Sequence, residues 1–328
     1  MVSDDHSNRL SIFDATLDSI TASLDAGPGM ALGDCVVARD ERLGVTSGSS
    51  AEITFIDLDP ESMGEVLPSS RLEISNLGVD MALSPDDRYL VLAGGGALHQ
   101  PLSVVDTDQR AEVATAHWFA DHTSVEFCDD GTLLVTTING AGFNSLPDNA
   151  MYDARISDDG QLSLLGRRIS SGAQPNNTAC APGSLAGVLL DRSGGVTSFT
   201  LPDMLPVAHV DAGPEPALAA AFSADGRRLF VRTQTAIQNF EFNPVTGDLA
   251  LRWRQPAPAI PAFFGMELIA LHPEGNKLYV DGGDAMLIVD ADTGQFTDAI
   301  QLGDATGICL AAPTREPAPG MLAQQEVP

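Results

Sequence analysis

The chain has 328 residues, 44 % of them hydrophobic and 19 % charged, the balance of a globular chain with a large buried core. Its 45 acidic and 17 basic residues leave a formal net charge of −28, and one basic residue, Lys277, is a lysine while the rest are arginines. A surface of that sign repels phosphate backbones and anionic bilayers, which excludes nucleic acid as a partner. No apolar run approaches the roughly 18 residues needed to span a bilayer, so no membrane insertion is expected.

Residues 1–6 carry neither a basic n-region nor an apolar h-region, so no signal peptide is visible, and the start reads as truncated. Residues 10–24 alternate apolar and polar around a turn and predict a strand hairpin. From Cys35 onward a pattern repeats: a short apolar run, a polar turn, and a second apolar run. Its clearest copy is Met81-Ala82-Leu83-Ser84-Pro85-Asp86-Asp87 followed by Tyr89-Leu90-Val91-Leu92-Ala93. Further copies centre on Asp129-Asp130-Gly131, Ala224-Asp225-Gly226 and Pro273-Glu274-Gly275. Apolar runs flanking a turn of Pro, Asp and Gly are a β-hairpin pattern.

The turn position recurs at Glu41, Asp87, Gly131, Gly183, Gly226 and Gly275, a spacing of about 47 residues with room for four strands per unit. That period, with none of the three-to-four-residue spacing of helical repeats, predicts a β-propeller. Six full units run from Cys35 to about Leu302. The leftovers are the N-terminal hairpin at 10–24 and a C-terminal inner strand at 307–311; the second strand of that blade is either the short Met1–Ser3 segment or a strand upstream of it. The expectation is therefore an all-β, seven-bladed propeller of four-stranded antiparallel blades, closed by the N-terminal outer strands pairing with the C-terminal inner strand. Closure of this kind removes exposed sheet edges. Residues 1–312 form the single domain, and residues 313–328, rich in Pro, Ala and Gln, form a tail.

Cys35, Cys128, Cys180 and Cys309 contain no CxxC pair, so no zinc knuckle or thioredoxin-like site is present. All four fall in or beside apolar runs and are expected as small buried thiols. Cys35 and Cys309 stand at one level of neighbouring inner strands, but adjacent blades are not expected to bring their Cα atoms within the roughly 7 Å that a disulfide needs.

The Ser-Pro-Asp-Asp, Ser-Ala-Asp-Gly and His-Pro-Glu-Gly turns, with Leu102-Ser103-Val104-Val105-Asp106 and Leu287-Ile288-Val289-Asp290-Ala291-Asp292-Thr293-Gly294, resemble the YVTN-type seven-bladed propellers and the neighbouring lactonase-like propeller family. The resemblance spans nearly the whole chain and rests on turn chemistry. It implies a fold shared by sugar lactonases, electron-transfer subunits and binding or scaffolding proteins. Many relatives are exported, which implies a periplasmic or extracellular location.

No GxSxG elbow, HExxH, P-loop or EF-hand loop is present, and no CxxCH or copper ligand set supports electron transfer. The channel mouth is where such folds gather ligand-binding groups. Register on Ser84 brings Asp34, Asp80, Ser124 and Asn176 to one level, with Asn177 beside them and His122 and Glu267 one or two positions earlier. Carboxylates held together call for a proton or a cation, and this oxygen-rich set suits Ca²⁺, while His122 keeps Zn²⁺ open. The alternative for each acid and amide is a turn cap bonded to backbone N–H groups. His272 replaces the serine of the other turns and is expected to hydrogen-bond within its own turn. Trp118 and Phe263, in loops entering the mouth, either stack a ring-shaped ligand or close the core.

Two functional readings follow. One is a monomeric module that binds a protein partner or small-molecule ligand and carries no catalytic motif. The other, implied by the resemblance, is a lactonase-like hydrolase of sugar lactones. There, Glu267 or Asp80 activates water and a cation or His122 stabilises the oxyanion. Whether the chain is an enzyme stays open at this stage.

Overall fold

The computed structural model describes residues 1–4, 9–25, 32–48, 51–58, 66–94, 100–118, 121–138, 149–171, 173–201, 203–261, 268–302 and 305–309. Among these residues the regular structure is entirely β. The chain opens with β1 (Val2–Asp4), β2 (Arg9–Asp14) and β3 (Ser19–Asp25). Six antiparallel sheets follow, each cut from one continuous stretch. Blade 1 holds β4 (Leu32–Val37), β5 (Leu43–Gly48), β6 (Glu52–Asp57) and β7 (Val66–Glu73). Blade 2 holds β8 (Asp80–Leu83), β9 (Tyr89–Ala93), β10 (Leu102–Asp106) and β11 (Ala111–Ala116). Blade 3 holds β12 (Asp121–Phe127), β13 (Leu133–Ile138), β14 (Ala150–Ile156) and β15 (Leu162–Ser170). Blade 4 holds β16 (Pro175–Cys180), β17 (Ala186–Asp191), β18 (Gly195–Thr200) and β19 (Leu205–Asp211). Blade 5 holds β20 (Ala217–Phe222), β21 (Arg228–Thr233), β22 (Ala236–Phe242) and β23 (Leu249–Pro256). Blade 6 holds β24 (Ile269–Leu271), β25 (Lys277–Asp281), β26 (Ala285–Asp290) and β27 (Phe296–Gln301), and the last strand is β28 (Ala305–Ile308).

The expectation of seven equivalent four-stranded blades is corrected here. Six blades are regular and continuous. The remaining sheet is a composite of order β28-β1-β2-β3, in which β1 and β28 have three and four residues. The N-terminal outer hairpin does not itself pair with the C-terminal inner strand; β1, which falls on the Met1–Ser3 alternative, stands between them. Val2 pairs with Ile308 and Ser3 with Gly307, and the register slips before Asp4 pairs with Ala305. Met1 N donates to Cys309 O at 2.6 Å and Cys309 N to Met1 O at 2.9 Å. The turn repeat marks only the inner hairpin of a continuous blade. In the composite sheet that hairpin is split between the two ends of the chain, so no turn signals it. The tail expected at 313–328 lies outside the described residues.

Local chemistry explains the regular blades. All six repeat turns carry a left-handed residue: Glu41 (φ 61°), Asp87 (58°), Gly131 (81°), Gly183 (67°), Gly226 (67°) and Gly275 (75°). Gly and Asp tolerate that region where most residues do not. The serine before the turn locks it. Ser84 Oγ donates to Asp86 Oδ1 at 2.6 Å and accepts from Tyr89 N at 2.9 Å, and Ser223 does the same with Asp225 and Arg228. His272 substitutes as expected, its Nδ1 accepting from Glu274 N at 3.0 Å.

The apolar runs bury both faces of the inner and middle strands, as sheets covered on two sides require. The core is a set of wedges between neighbouring sheets. Val45, Phe55, Leu90 and Leu92 fill the wedge between blades 1 and 2; Val188, Leu190, Leu229 and Phe240 fill that between blades 4 and 5.

The cysteines overturn their expectation. Among the described residues none is free: Cys35 is bonded to Cys309 and Cys128 to Cys180, with Cα atoms 5.8 and 5.3 Å apart. Each bridge joins the inner strands, or the residue just after them, of neighbouring sheets. Inner strands converge toward the axis, so the distance between adjacent sheets is shortest there. Cys128 and Cys180 also hold the same register position in consecutive repeats, a signal that was available in the sequence.

Candidate functional site

The innermost strand of every blade has a partner on one side only, and its other edge faces the axis. The backbone N–H groups on that edge need acceptors. The acids at the start of the inner strands supply them across blade boundaries. Asp34 Oδ2 of blade 1 accepts from Met81 N of blade 2 at 3.1 Å. Asp80 Oδ2 of blade 2 accepts from Val125 N of blade 3 at 2.8 Å. Asn176 of blade 4 reaches blade 5 in the opposite sense, its Nδ2 donating to Ala217 O and Leu218 O at 3.0 and 3.2 Å. These side chains latch each blade to the next.

Asp34 and Asp80 are thus brought together, and both are buried. Burial, and then the charge of Asp80 and a hydrogen bond shared with its carboxyl, push the Asp34 carboxyl well above the usual carboxylate range. Asp34 Oδ1, Ser124 Oγ, Asn176 Oδ1 and Asn177 Nδ2 are buried without a hydrogen-bond partner. His122 lies in β12 opposite Thr137. Its side chain, and all of Glu267 and Phe263, lie outside the described residues. Trp118 is half-buried and packs on the apolar cluster between blades 2 and 3. Among the described residues no three His, Cys, Asp or Glu side chains are grouped to hold a metal ion.

The linkage of Asp34 has a definite sign. Its folded pKa is raised, so its contribution to stability is full below the unfolded pKa and is lost as pH rises through the folded one. Asp34→Asn keeps an acceptor for Met81 N and cannot ionise. The variant should therefore gain on the parent above about pH 4, at up to about 1.4 kcal/mol per pH unit while the difference develops. Urea midpoints measured between pH 4.5 and 8.5 check this; a gap that does not change with pH rules out a raised Asp34 pKa.

An axial cavity of about 330 Å³ lies farther along the channel, lined from the innermost strand of every sheet. Its wall is mostly small and apolar: Val36, Ala82, Ala179, Ala220, Ala221, Ala270 and Leu271, with Phe127 and Phe222. The charged lining residues are Arg39, Asp87, Glu126 and Asp129, with His272 at the same end. Asp87 Oδ2 accepts from Arg39 N at 2.9 Å, and Asp129 Oδ2 from Gly183 N at 2.7 Å. The Arg39 guanidinium stands 3.7 Å from Asp129.

Glu126 is the group that reading the sequence missed. It occupies β12 at the position held by Ala82, Ala221 and Ala270 in other repeats, so a carboxyl replaces a methyl in the cavity wall. That contrast was the available signal. Burial pushes its pKa up to about 8; the Cys180 N–H directed at it opposes the shift, Asp129 adds to it, and Arg39 opposes it. A carboxyl set near neutrality inside a cavity is suited to proton transfer.

The sequence matches no family model and no curated protein. Solved structures do match. A functionally unknown protein from Desulfotomaculum acetoxidans is 18 % identical, with TM-score 0.82 over 93 % of this chain and 96 % of that one. A Bacteroides uniformis protein provisionally assigned as a 6-phosphogluconolactonase is 15 % identical, with TM-score 0.75 over 93 % and 96 %. The periplasmic gluconolactonase of Pseudomonas aeruginosa is 18 % identical, with TM-score 0.72 over 90 % and 92 %. At these identities the likeness establishes the fold, and the chain is an all-β propeller of the shape that these lactonase propellers have.

Proposed function

We propose that the chain is a lactonase-like hydrolase whose axial cavity takes a small cyclic ester, with Glu126 as the base. The observation that carries the reading is a carboxyl with a raised pKa at a wall position that is alanine in three other repeats, in a cavity that Arg39 also lines. The lactonase propellers of like shape support it. The ionised Glu126 takes a proton from water as the water oxygen attacks the ester carbonyl. The tetrahedral oxyanion forms beside the Arg39 guanidinium. It collapses as the ring oxygen leaves with the proton returned by Glu126, giving a hydroxy acid. No step requires a metal ion.

The two disulfides, and the periplasmic location of one structural relative, support the periplasm or cell exterior as the place of work, because such bridges persist in oxidising compartments. A pH-stat assay over a panel of aldonolactones, with and without EDTA, tests the activity. Acid release that saturates with lactone and survives EDTA is expected. Lactone binding without turnover would instead favour the non-catalytic binding module, and activity abolished by EDTA and restored by Ca²⁺ or Zn²⁺ would replace the metal-free mechanism.

A further inference from the structure

Resting on the hydrolase reading above, we infer that the axial cavity selects an uncharged lactone and rejects one bearing a phosphate. The inference comes from where the basic side chains are. Of the 17 lysines and arginines, Arg315 alone lies outside the described residues. Arg39 is the one that lines the axial cavity. Its guanidinium already faces Asp129, and its backbone N–H is held by Asp87.

Five other cations are engaged away from the cavity. Arg232 is fully buried, and its guanidinium donates to the carbonyl oxygens of Thr233 at 2.8 Å, Pro258 at 2.7 Å and Asp281 at 3.2 Å. Arg228 pairs with Asp292 at 2.7 Å, Arg88 stands 3.7 Å from Asp106, and Arg167 and Lys277 pair with Asp153 and Asp18.

A phosphate dianion is held by several charge-assisted donors, most often arginine forks or the N-terminus of a helix. The described residues contain no helix, and the cavity offers one guanidinium and the His272 imidazole against three carboxyl groups, Asp87, Glu126 and Asp129. The net charge of −28 opposes the approach of an anion from solution as well. A neutral polyol lactone meets neither obstacle, and the apolar wall with its few polar groups suits it.

The test compares D-glucono-1,5-lactone with its 6-phosphate as substrates of the full chain, and the two corresponding lactams as stable ligands by calorimetry. A kcat/KM at least about 100-fold higher for the neutral lactone is expected, from the several kcal/mol that like-charge juxtaposition costs. Raising ionic strength should improve binding of the phosphorylated lactam and leave the neutral one unchanged. Equal or better turnover of the phosphorylated lactone overturns the inference. If neither lactone is turned over, the hydrolase reading fails by itself, and the lactams still decide. Neutral lactam bound and phosphorylated lactam rejected upholds the charge selection, while equal affinity, or no binding of either, overturns it.

Discussion

Glu126→Gln should lower lactone turnover by about 10²–10⁴-fold, the usual contribution of a general base, while leaving the fold intact. Gln has the same shape and offers a carbonyl oxygen to the Cys180 N–H, but it cannot accept the proton from water. The pH dependence provides a second reading of the same residue. Glu126 acts in its ionised form and its pKa is about 8, so the parent's rate should rise tenfold per pH unit below that value and level off above it. The variant's residual rate should lack that step.

Stability moves the other way. A raised carboxyl pKa favours the folded state most below the unfolded value, and that contribution falls away as pH climbs through about 8. The Gln variant should therefore unfold no earlier than the parent at pH 7 and later at pH 9. Full activity in Glu126→Gln, or a parent profile that is flat from pH 6 to 9, would remove Glu126 from the chemistry.

Removing the seam disulfide should have the largest effect on stability. The Cys35–Cys309 bridge spans 274 residues, all six continuous blades, and ties blade 1 to the end of the composite sheet. In the chain-entropy account a bridge of that span constrains the unfolded chain by about 5.6 kcal/mol, against about 4 kcal/mol for the 52-residue span of Cys128–Cys180. Strain and residual structure reduce such figures, so a loss of about 3–5 kcal/mol is expected for Cys35→Ala with Cys309→Ala. The β1–β28 pairing that remains is short and irregular. Denaturant midpoints of the two double variants, with alkylation of the unreduced parent to count free thiols, give the measurement. Four alkylated cysteines in the parent, or an unchanged midpoint in the seam variant, would contradict covalent closure.

How much was legible in the sequence differs sharply between fold and site. The repeat was visible because each inner hairpin needs a left-handed residue at its tip. Few residue types accept that conformation, so Gly and Asp recur at positions such as Asp87, Gly131 and Gly226. The two-sided burial of the inner strands was visible as unbroken apolar runs. The acids at Asp34 and Asp80 were visible as a level set, but their task was not. Whether such a carboxyl caps its own turn, faces a ligand or bonds the next blade depends on how the blades lean together. Glu126 was hidden because one carboxyl within an apolar run reads as an ordinary strand residue until the ring gives that run a cavity to face.

The sequence by itself determined the β-hairpin repeat, its period and the acidic character of the surface, because backbone conformation at a turn and the count of charges are local properties. Tertiary structure alone decided the composite sheet, the two disulfides, the latches between blades and the place of Glu126 in one cavity lining with Arg39. Each of these joins groups on different sheets, up to 274 residues apart, and becomes a contact only when the sheets are arranged around one axis.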